Sequence, residues 1–317
     1  MDISVVVPLY NEAESLNELV RWVRQVMHQN GFAFELLLID DGSQDESWQV
    51  IQQLTHQDDH VKALRFRKNY GKSAALHLGF KHVNGDVVIT MDADLQDNPE
   101  EIPGLYHMII QDGYDFVSGW KKKRYDPLSK TLPSKFFNKT ARIVTGIKLH
   151  DFNCGLKAYR NNVVKSIEVY GEMHRYIPVL VKRAGFNHIG EKVVRHQKRK
   201  YGKTKFGMDR FVKGFLDLMS ITFITKFGKR PMHLFGTLGT VIFLLGFLAA
   251  LWLGGMKLYY LQHQIPYRLV TESPYFYIAL TCMIIGTQLF VAGFLGELVS
   301  RSSESRNHYY VRDTINL

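Results

Sequence analysis

Asp92 and Asp94, in the stretch Met91-Asp92-Ala93-Asp94-Leu95-Gln96-Asp97, are the residues whose type and spacing point most directly to chemistry. They directly follow Asp86-Val87-Val88-Ile89-Thr90, a β-branched run that reads as a buried strand. On an extended backbone, residues two apart project to the same side. Two carboxylates held close repel each other unless a cation lies between them. Hard divalent cations such as Mg²⁺ bind through one or two carboxylates plus the phosphates of a substrate. Two readings follow. One is a metal–diphosphate site. The other is a solvated acidic turn capping the helix that Asn98-Pro99-Glu100-Glu101 begins.

The elements that must position these residues alternate regularly. Ile3 to Pro8 is a continuous apolar strand, as expected of a parallel strand covered on both faces. Ala13 to Gln29 has helical spacing, with Gly31 as its stop. Phe34 to Ile39 is a second strand, ending in Asp40-Asp41-Gly42-Ser43, and a helix runs from about Ser47 to Leu54. Val61 to Phe66 is a third strand, and Asn69-Tyr70-Gly71-Lys72 turns into a helix from Ser73 to His82. The strand Val87–Thr90 delivers the acidic stretch, Ile102 to Gln111 is helical, and Asp115 to Gly119 is a fifth strand. Such alternation predicts a mostly parallel sheet with right-handed crossovers. Ligands bind such sheets outside the carboxyl ends of the strands. Glu12, Asp40, Asp41, Asp92 and Asp94 all fall at such ends, which favours a metal and nucleotide site. Neither G-x-G-x-x-G after the first strand nor a G-x-x-x-x-G-K-[ST] loop is present. A diphosphate would then be held by metal and basic side chains.

The 317 residues carry a formal charge of +10, which suggests an anionic partner: nucleic acid, an anionic membrane face or phosphorylated substrates. Two cysteines, Cys154 and Cys282, are too few for a disulfide framework, and no zinc-type spacing occurs. The basic segments are Lys121-Lys122-Lys123-Arg124 and Arg195 to Lys205, the latter with six Lys/Arg and no acid. Solvated loops, a nucleic-acid grip and a phosphate clamp beside an anionic membrane are the three readings.

Gly207 to Thr225 has the pattern of an amphipathic helix, either lying in a membrane interface or packing on the sheet. Pro231 to Met256 and Tyr275 to Gly296 contain no Asp, Glu, Lys or Arg. Each exceeds the ~20 residues that span a bilayer core. Lys226, Lys229 and Arg230 precede the first run and Arg301 and Arg306 follow the second, while the connecting loop has Lys257 and Arg268. The positive-inside rule puts both ends in the cytoplasm. The opening Met-Asp-Ile-Ser-Val has no signal-peptide pattern, in agreement. The tail Ser302 to Leu317 is polar, and its His308–Val311 reads either as a strand for subunit contacts or as a loose end.

Several segments occur together in a telling order: Val5 to Glu12, Ile39-Asp40-Asp41-Gly42-Ser43, Arg67 to Lys72, Asp92 to Asp97, Asn153-Cys154-Gly155-Leu156-Lys157 and Tyr201 to Lys205. With these the chain resembles glycosyltransferase family 2, and within it the polyprenyl-phosphate glycosyltransferases related to dolichol-phosphate mannose synthase. The resemblance covers nearly the whole chain. It implies an α/β fold of the GT-A (nucleotide-diphospho-sugar transferase) type over residues 1–205. A juxtamembrane amphipathic region at 206–230, two transmembrane helices with a short non-cytoplasmic loop at 231–300 and a cytoplasmic tail at 301–317 complete the expected layout.

The implied activity is inverting transfer of a sugar from a nucleotide-sugar to polyprenyl phosphate, undecaprenyl or dolichyl, with a UDP-sugar favoured over a GDP-sugar. By the same resemblance Pro8, Tyr10, Glu12, Asp40, Asp41, Lys72 and Asp92 serve the nucleotide. Asp92, Asp94 and Gln96 hold Mg²⁺ or Mn²⁺, and Arg199, Lys203 and Lys205 close over the phosphates. Lys122, Arg124, Ser134 and Lys135 take the acceptor phosphate. Thr204 stands where the family commonly has Ser, which keeps the hydroxyl. A role for Glu172-Met173-His174-Arg175 is not implied. A phosphate acceptor has its second pKa near ~6, so it is mostly ionised at neutral pH and needs little base assistance. Asp151 is the candidate for positioning the acceptor or balancing charge, and a structural turn carboxylate is its other reading.

Three rivals bear comparison. A processive polysaccharide synthase of the same fold would carry Q-x-x-R-W, which is absent, and usually more spans. A membrane-anchored nucleic-acid-binding protein leaves the convergent carboxylates unexplained, because they repel a phosphate backbone. A flippase or transporter module would place ionisable groups inside the spans. The partners expected are therefore a nucleotide-sugar, a polyprenyl phosphate and the lipid bilayer, with no nucleic acid. A homo-oligomer is allowed.

Overall fold

The structure, a computed structural model, describes residues 1–122, 138, 140–143, 145–169, 171, 173–198, 200–201, 231–266 and 268–302. The expected amphipathic helix at 207–225 and the tail beyond 302 lie outside the described residues. Two compact units make up the chain, Met1–Thr222 and Phe223–Leu317.

The first unit is built on seven strands: β1 (Ile3–Leu9), β2 (Phe34–Asp40), β3 (Val61–Arg65), β4 (Val87–Thr90), β5 (Phe116–Trp120), β6 (Lys157–Arg160) and β7 (Ile189–Val193). Their order in the sheet is β3-β2-β1-β4-β6-β5-β7. All pairs are parallel except those of β6, which runs against both of its neighbours, β4 and β5. The five strands expected from sequence are present within about a residue at each end. β6 and β7 were not expected. They are four and five residues long, and β6 has Lys157 and Arg160 at its ends, so neither shows a clear apolar period. Every residue of β1, β2 and β4 is buried, which is why these strands are largely apolar rather than alternating, and why the polar ones, such as Ser4, Glu35 and Asp40, need partners.

Helices α1 (Ala13–Gln29), α2 (Ser47–Gln57), α3 (Lys72–His82), α4 (Ile102–Ile110), α5 (Asn161–Ser166) and α6 (Ile177–Arg183) accompany the sheet. Along α1 the buried side chains Leu16, Leu19, Val20, Val23, Val26 and Met27 form the stripe that spacing predicts. The approach of α3 to the sheet depends on Gly79, where a Cβ would lie 2.5 Å from Val6 Cγ1. Side-chain-free contact at that point seats α3, and thereby the residues at its first turn, directly over β1.

At the amino edge of the sheet Glu35 joins three strands. Its Oε1 accepts from Ser4 Oγ at 2.6 Å and from the Asn84 N–H at 2.7 Å, and its Oε2 pairs with Lys62 Nζ at 2.7 Å. Ser4 Oγ in turn accepts the Gly85 N–H at 2.7 Å. Burial alone would raise the Glu35 carboxyl, but these bonds outweigh it and hold the pKa below the ordinary glutamate value.

In the second unit α7 (Met232–Gln262) and α8 (Pro274–Ser302) form an antiparallel pair. Glycines line the contact. A Cβ on Gly239 would meet Gly286 O at 2.6 Å, one on Gly246 would meet Ala279 O at 2.6 Å, and one on Gly286 would meet Phe243 N at 2.6 Å. The backbones touch, and the large side chains point outward: Leu245, Leu248, Trp252, Ile278 and Phe294 are all exposed. Only 17% of the apolar stretch of each helix is buried. A core helix of a soluble domain would be mostly covered, so these are helices of a length and surface that could span a membrane.

A lowered Glu35 pKa contributes stability above the ordinary value of 4.5, and that contribution fades as pH falls through the folded value. Glu35→Gln should lower the unfolding free energy of the full-length chain by roughly 2 kcal/mol at pH 7. The deficit relative to wild type should shrink below pH ~4. Unfolding in denaturant at several pH values checks this, and a pH-independent deficit would contradict it.

Candidate active site

The parallel run β2-β1-β4 sends three loops to one edge. The loop after β1 and the loop after β2 are stitched together by side chains. Asn11 N–H donates to Ser43 Oγ at 2.9 Å, Glu12 N–H to Ser47 Oγ at 2.9 Å, and Gln44 N–H to Asn11 Oδ1 at 2.8 Å. Asn11 adopts φ 54°, a left-handed conformation that asparagine tolerates better than most residues. Pro8 is buried in β1, and Tyr10 and Glu12 are half-buried beside this junction.

A third segment closes over the second loop at Gly42. This residue has φ +72°, and a Cβ there would lie 2.6 Å from Lys68 C. The close approach lets Asp41 receive the turn before α3: its Oδ1 accepts the Tyr70 N–H at 2.7 Å and its Oδ2 the Gly71 N–H at 2.9 Å. Asp40, expected at the nucleotide, is fully buried and faces inward. Its Oδ2 pairs with Arg65 Nε at 3.2 Å, and its Oδ1 accepts the Ser43 N–H at 2.9 Å. Of the two neighbouring acids, Asp41 is the one joined to the turn that carries Lys72.

From that turn Lys72 reaches Asp92, its Nζ bonded to Asp92 Oδ1. Burial would raise the Asp92 carboxyl, but Lys72, then Lys121 and Lys157, hold it well below the usual carboxylate range. Asp94, two residues on, is 8% exposed, and its Oδ1 accepts the Gln96 N–H at 3.1 Å. Leu95 between them has φ 59°, so the motif is not simply extended beyond the strand end. Asp97 belongs to the scaffold. Its Oδ2 accepts the Asp92 N–H at 3.2 Å and its Oδ1 pairs with Lys121 Nζ at 2.8 Å. Lys121 is therefore turned inward, and Asp97 keeps it charged despite its burial. Asn98, rather than an aspartate, caps the following turn, its Oδ1 accepting the Glu100 N–H at 2.9 Å.

The basic segment starts against the acidic one. Asp97 and His196 form an antiparallel bridge, and Gln197 N–H donates to Gln96 O at 3.0 Å. The chain then crosses to α1, where Lys200 Nζ and Tyr201 OH both bond Glu18, at 2.7 and 3.1 Å. Arg199, Lys203 and Lys205 lie outside the described residues, as do Arg124, Ser134 and Lys135. Lys122 is described: it is exposed, with its Nζ 5.7 Å from the centre of the Trp120 ring.

Because β6 runs backwards, the residues before it reach the edge where β4 ends. Gly155 lies against Asp92, and a Cβ on it would stand 2.5 Å from Asp92 Oδ2. Lys157 is buried with its Nζ on Cys154 O, and burial lowers its pKa. Burial pushes the Cys154 thiol up to about 12, so it is no nucleophile at neutral pH. Asp151 is 1% exposed. Its Oδ1 accepts the Asn153 N–H at 3.1 Å and its own N–H donates to Glu191 Oε1 at 3.1 Å. The turn Met173–Arg175, for which sequence offered no role, meets the first turn of α3 through His174 and Ser73. These residues are more than a hundred positions apart, so spacing gave no sign of the contact.

Among the described residues no three His, Cys, Asp or Glu side chains converge as a metal cage. The donors at hand are the carboxylates of Asp92 and Asp94 and the amide of Gln96, all hard oxygen ligands on one loop. The cradle at Gly155 leaves Asp92 Oδ2 without a side chain pressed against it. Such a set suits Mg²⁺ or Mn²⁺ shared with a diphosphate, and does not suit a closed structural site.

Comparison with known proteins shows the family and the fold. Residues 4–168 match the family model described as glycosyl transferase family 2. The chain is 33% identical over 320 residues to dodecaprenyl-phosphate galacturonate synthase of Rhizobium johnstonii, covering 98% of this chain and 92% of that protein. It is 36% identical over 301 residues to undecaprenyl-phosphate 4-deoxy-4-formamido-L-arabinose transferase of Pseudomonas aeruginosa, covering 94% and 85%. In fold it is similar to glucosyl-3-phosphoglycerate synthase from Mycobacterium tuberculosis, solved with Mn²⁺, UDP-glucose and phosphoglyceric acid. That likeness has a TM-score of 0.54 at 17% identity, over 71% of this chain and 79% of that one.

Two glycines separate close approach from backbone strain. Gly31 has φ +68° with nothing within 4 Å of a Cβ, and Gly42 has φ +72° with Lys68 C at 2.6 Å. Gly31→Ala should cost about 1 kcal/mol. Gly42→Ala should cost at least ~2 kcal/mol more, since two loops must part. Chemical unfolding of both variants measures the difference, and equal losses would refute the close approach.

Proposed function

We propose, since this chain belongs to glycosyl transferase family 2, that it transfers a sugar from a nucleotide-sugar to the phosphate of a membrane polyprenol, undecaprenyl or dolichyl. The donor is a UDP-sugar rather than a GDP-sugar, and the anomeric centre is inverted. One observation carries the reading. Oxygen donors and the lysines paired with them gather at the carboxyl edge of the sheet, in a chain that also has two helices able to span a membrane. The relatives named above, whose names specify polyprenyl phosphates, support the acceptor. The UDP complexes of the structural neighbours support the donor base.

Each group has a task in this reading. Pro8, Tyr10, Glu12 and Asp41 line the base and ribose, with Asp40 bracing the loop from within. Asp92, Asp94 and Gln96 hold Mg²⁺ or Mn²⁺. When bound, the ion neutralises charge on the departing diphosphate. Lys72 stands beside the same phosphates, where developing charge gains most from a fixed cation. His196 and Gln197, which open the basic segment, pair with Asp97 and Gln96, and Arg199, Lys203 and Lys205 further along its sequence are assigned to the diphosphate. Lys122, Arg124, Ser134 and Lys135 receive the acceptor phosphate. That phosphate has its second pKa near ~6 and attacks as an anion, so Asp151 orients it and need not act as a strong base.

Residues 1–205 form the catalytic domain, 206–230 an interfacial helix, 231–300 the two spans and 301–317 a cytoplasmic tail. Lys226, Lys229, Arg230, Arg301 and Arg306 flank the spans and favour catalytic domain and termini on the cytoplasmic face.

Purified full-length chain with Mg²⁺ or Mn²⁺, a panel of nucleotide-sugars and undecaprenyl phosphate should yield a lipid-phosphate sugar detectable by mass spectrometry. Transfer to water or protein alone would sink the acceptor assignment. Asp94→Ala should lower the rate by about 10²-fold or more while leaving thermal unfolding unchanged. Near wild-type turnover would remove Asp94 from the metal.

A further inference from the structure

We propose that His174 is a positioning residue for the transfer: clamped on Ser73, it fixes the first turn of α3 and so keeps the Lys72 ammonium aimed at Asp92. The inference rests on the glycosyltransferase reading in taking Lys72 to serve the donor diphosphate.

Lys72 is the first residue of α3, and its long side chain can point wherever its backbone allows. That backbone is tied on both sides. Ahead of it, the Tyr70 and Gly71 N–H groups are bound to the two oxygens of Asp41. Gly71, at φ 92°, makes the sharp entry into the helix. Behind it, Ser73 is 1% exposed, and its Oγ accepts the His174 N–H at 3.0 Å and lies 3.1 Å from His174 Nδ1. A serine hydroxyl has one proton to give. With Oγ already accepting from the backbone, the pair is complete when that proton goes to Nδ1 of a neutral ring.

The surroundings keep the ring neutral. Burial lowers its pKa well below the ordinary value, and Lys72, Arg175 and Lys157 add to the effect. A neutral imidazole also adds no positive charge where Lys72 and Lys157 already stand. The two-point clamp joins the turn Met173–Arg175 to α3 at the residue next to the cation. The backbone bond would survive in any residue at 174, so the ring's own contribution is the second bond, at Nδ1.

The test is a double-mutant cycle on the full-length chain in detergent. UDP and GDP, each with Mn²⁺, are titrated by calorimetry and the nucleotide that binds is used throughout. His174→Ala should weaken binding by about tenfold, with thermal unfolding little changed. His174→Asn, whose amide reaches about where Nδ1 stands, should recover affinity to within about threefold of wild type. In a Lys72→Ala background the His174→Ala change should have no further effect, because the group it positions is gone. Additive losses in the cycle would overturn the proposal, as would a lowered melting temperature with unaltered affinity. If His174→Ala does not fold, Ser73→Ala removes the ring bond together with the backbone one, and its loss should likewise vanish in the Lys72→Ala background. A wild-type chain that binds the nucleotide but makes no lipid-linked sugar overturns the acceptor reading and leaves this one standing. Binding of neither nucleotide by the wild type overturns both.

Discussion

Negative charge collected at one edge of a sheet must be compensated, and the catalytic unit is arranged around how this is done. Asp40 at the end of β2, and Asp41, Asp92 and Asp97 beyond the ends of β2 and β4, each meet a different answer. Asp40 goes inward to Arg65, Asp41 takes two backbone N–H groups, Asp92 takes Lys72 and Asp97 takes Lys121. Desolvated carboxylates are tolerated only when so matched, since leaving one unpaired costs several kcal/mol. The partners come from β3, from the turn before α3 and from the end of β5. Charge matching is thus what joins distant stretches of chain into one site.

Sequence revealed the half of this arrangement that depends on local pattern. The largely apolar runs of β1, β2 and β4 announced buried parallel strands, and parallel strands put Glu12, Asp41 and Asp92 at a common edge. The exposed apolar surfaces of α7 and α8 were equally plain, because a run of over twenty residues without charge has few other uses. Pairings across the chain were not readable. Asp40 and Asp41 are chemically identical neighbours, and only the fold decides which one meets Arg65. Gly155 is one glycine among 25 until Asp92 is seen against it. His174 is 101 residues from Ser73, and no spacing rule reaches so far. A four-residue strand such as β6 carries no mark of the direction in which it will run.

The two units solve opposite problems. In the first, polar groups are withdrawn from water and each must find a partner. In the second, apolar side chains face outward and the polar backbones are packed so closely that glycine is needed at the contact. A glycosyltransferase acting on a lipid needs both, because its donor is water-soluble and its acceptor is not.

The reversed direction of β6 has a further meaning for the segment before it. Residues 121–156 leave the sheet at the end of β5 and rejoin it at the start of β6, and both points are on the edge that carries the acids. A parallel β6 would have forced this segment to cross the whole sheet and tied its length to the fold. As built, it is an excursion that departs and returns at the same doorway. Its length is therefore not dictated by the sheet, while its two ends stay fixed on the acids, Lys121 on Asp97 and Gly155 on Asp92.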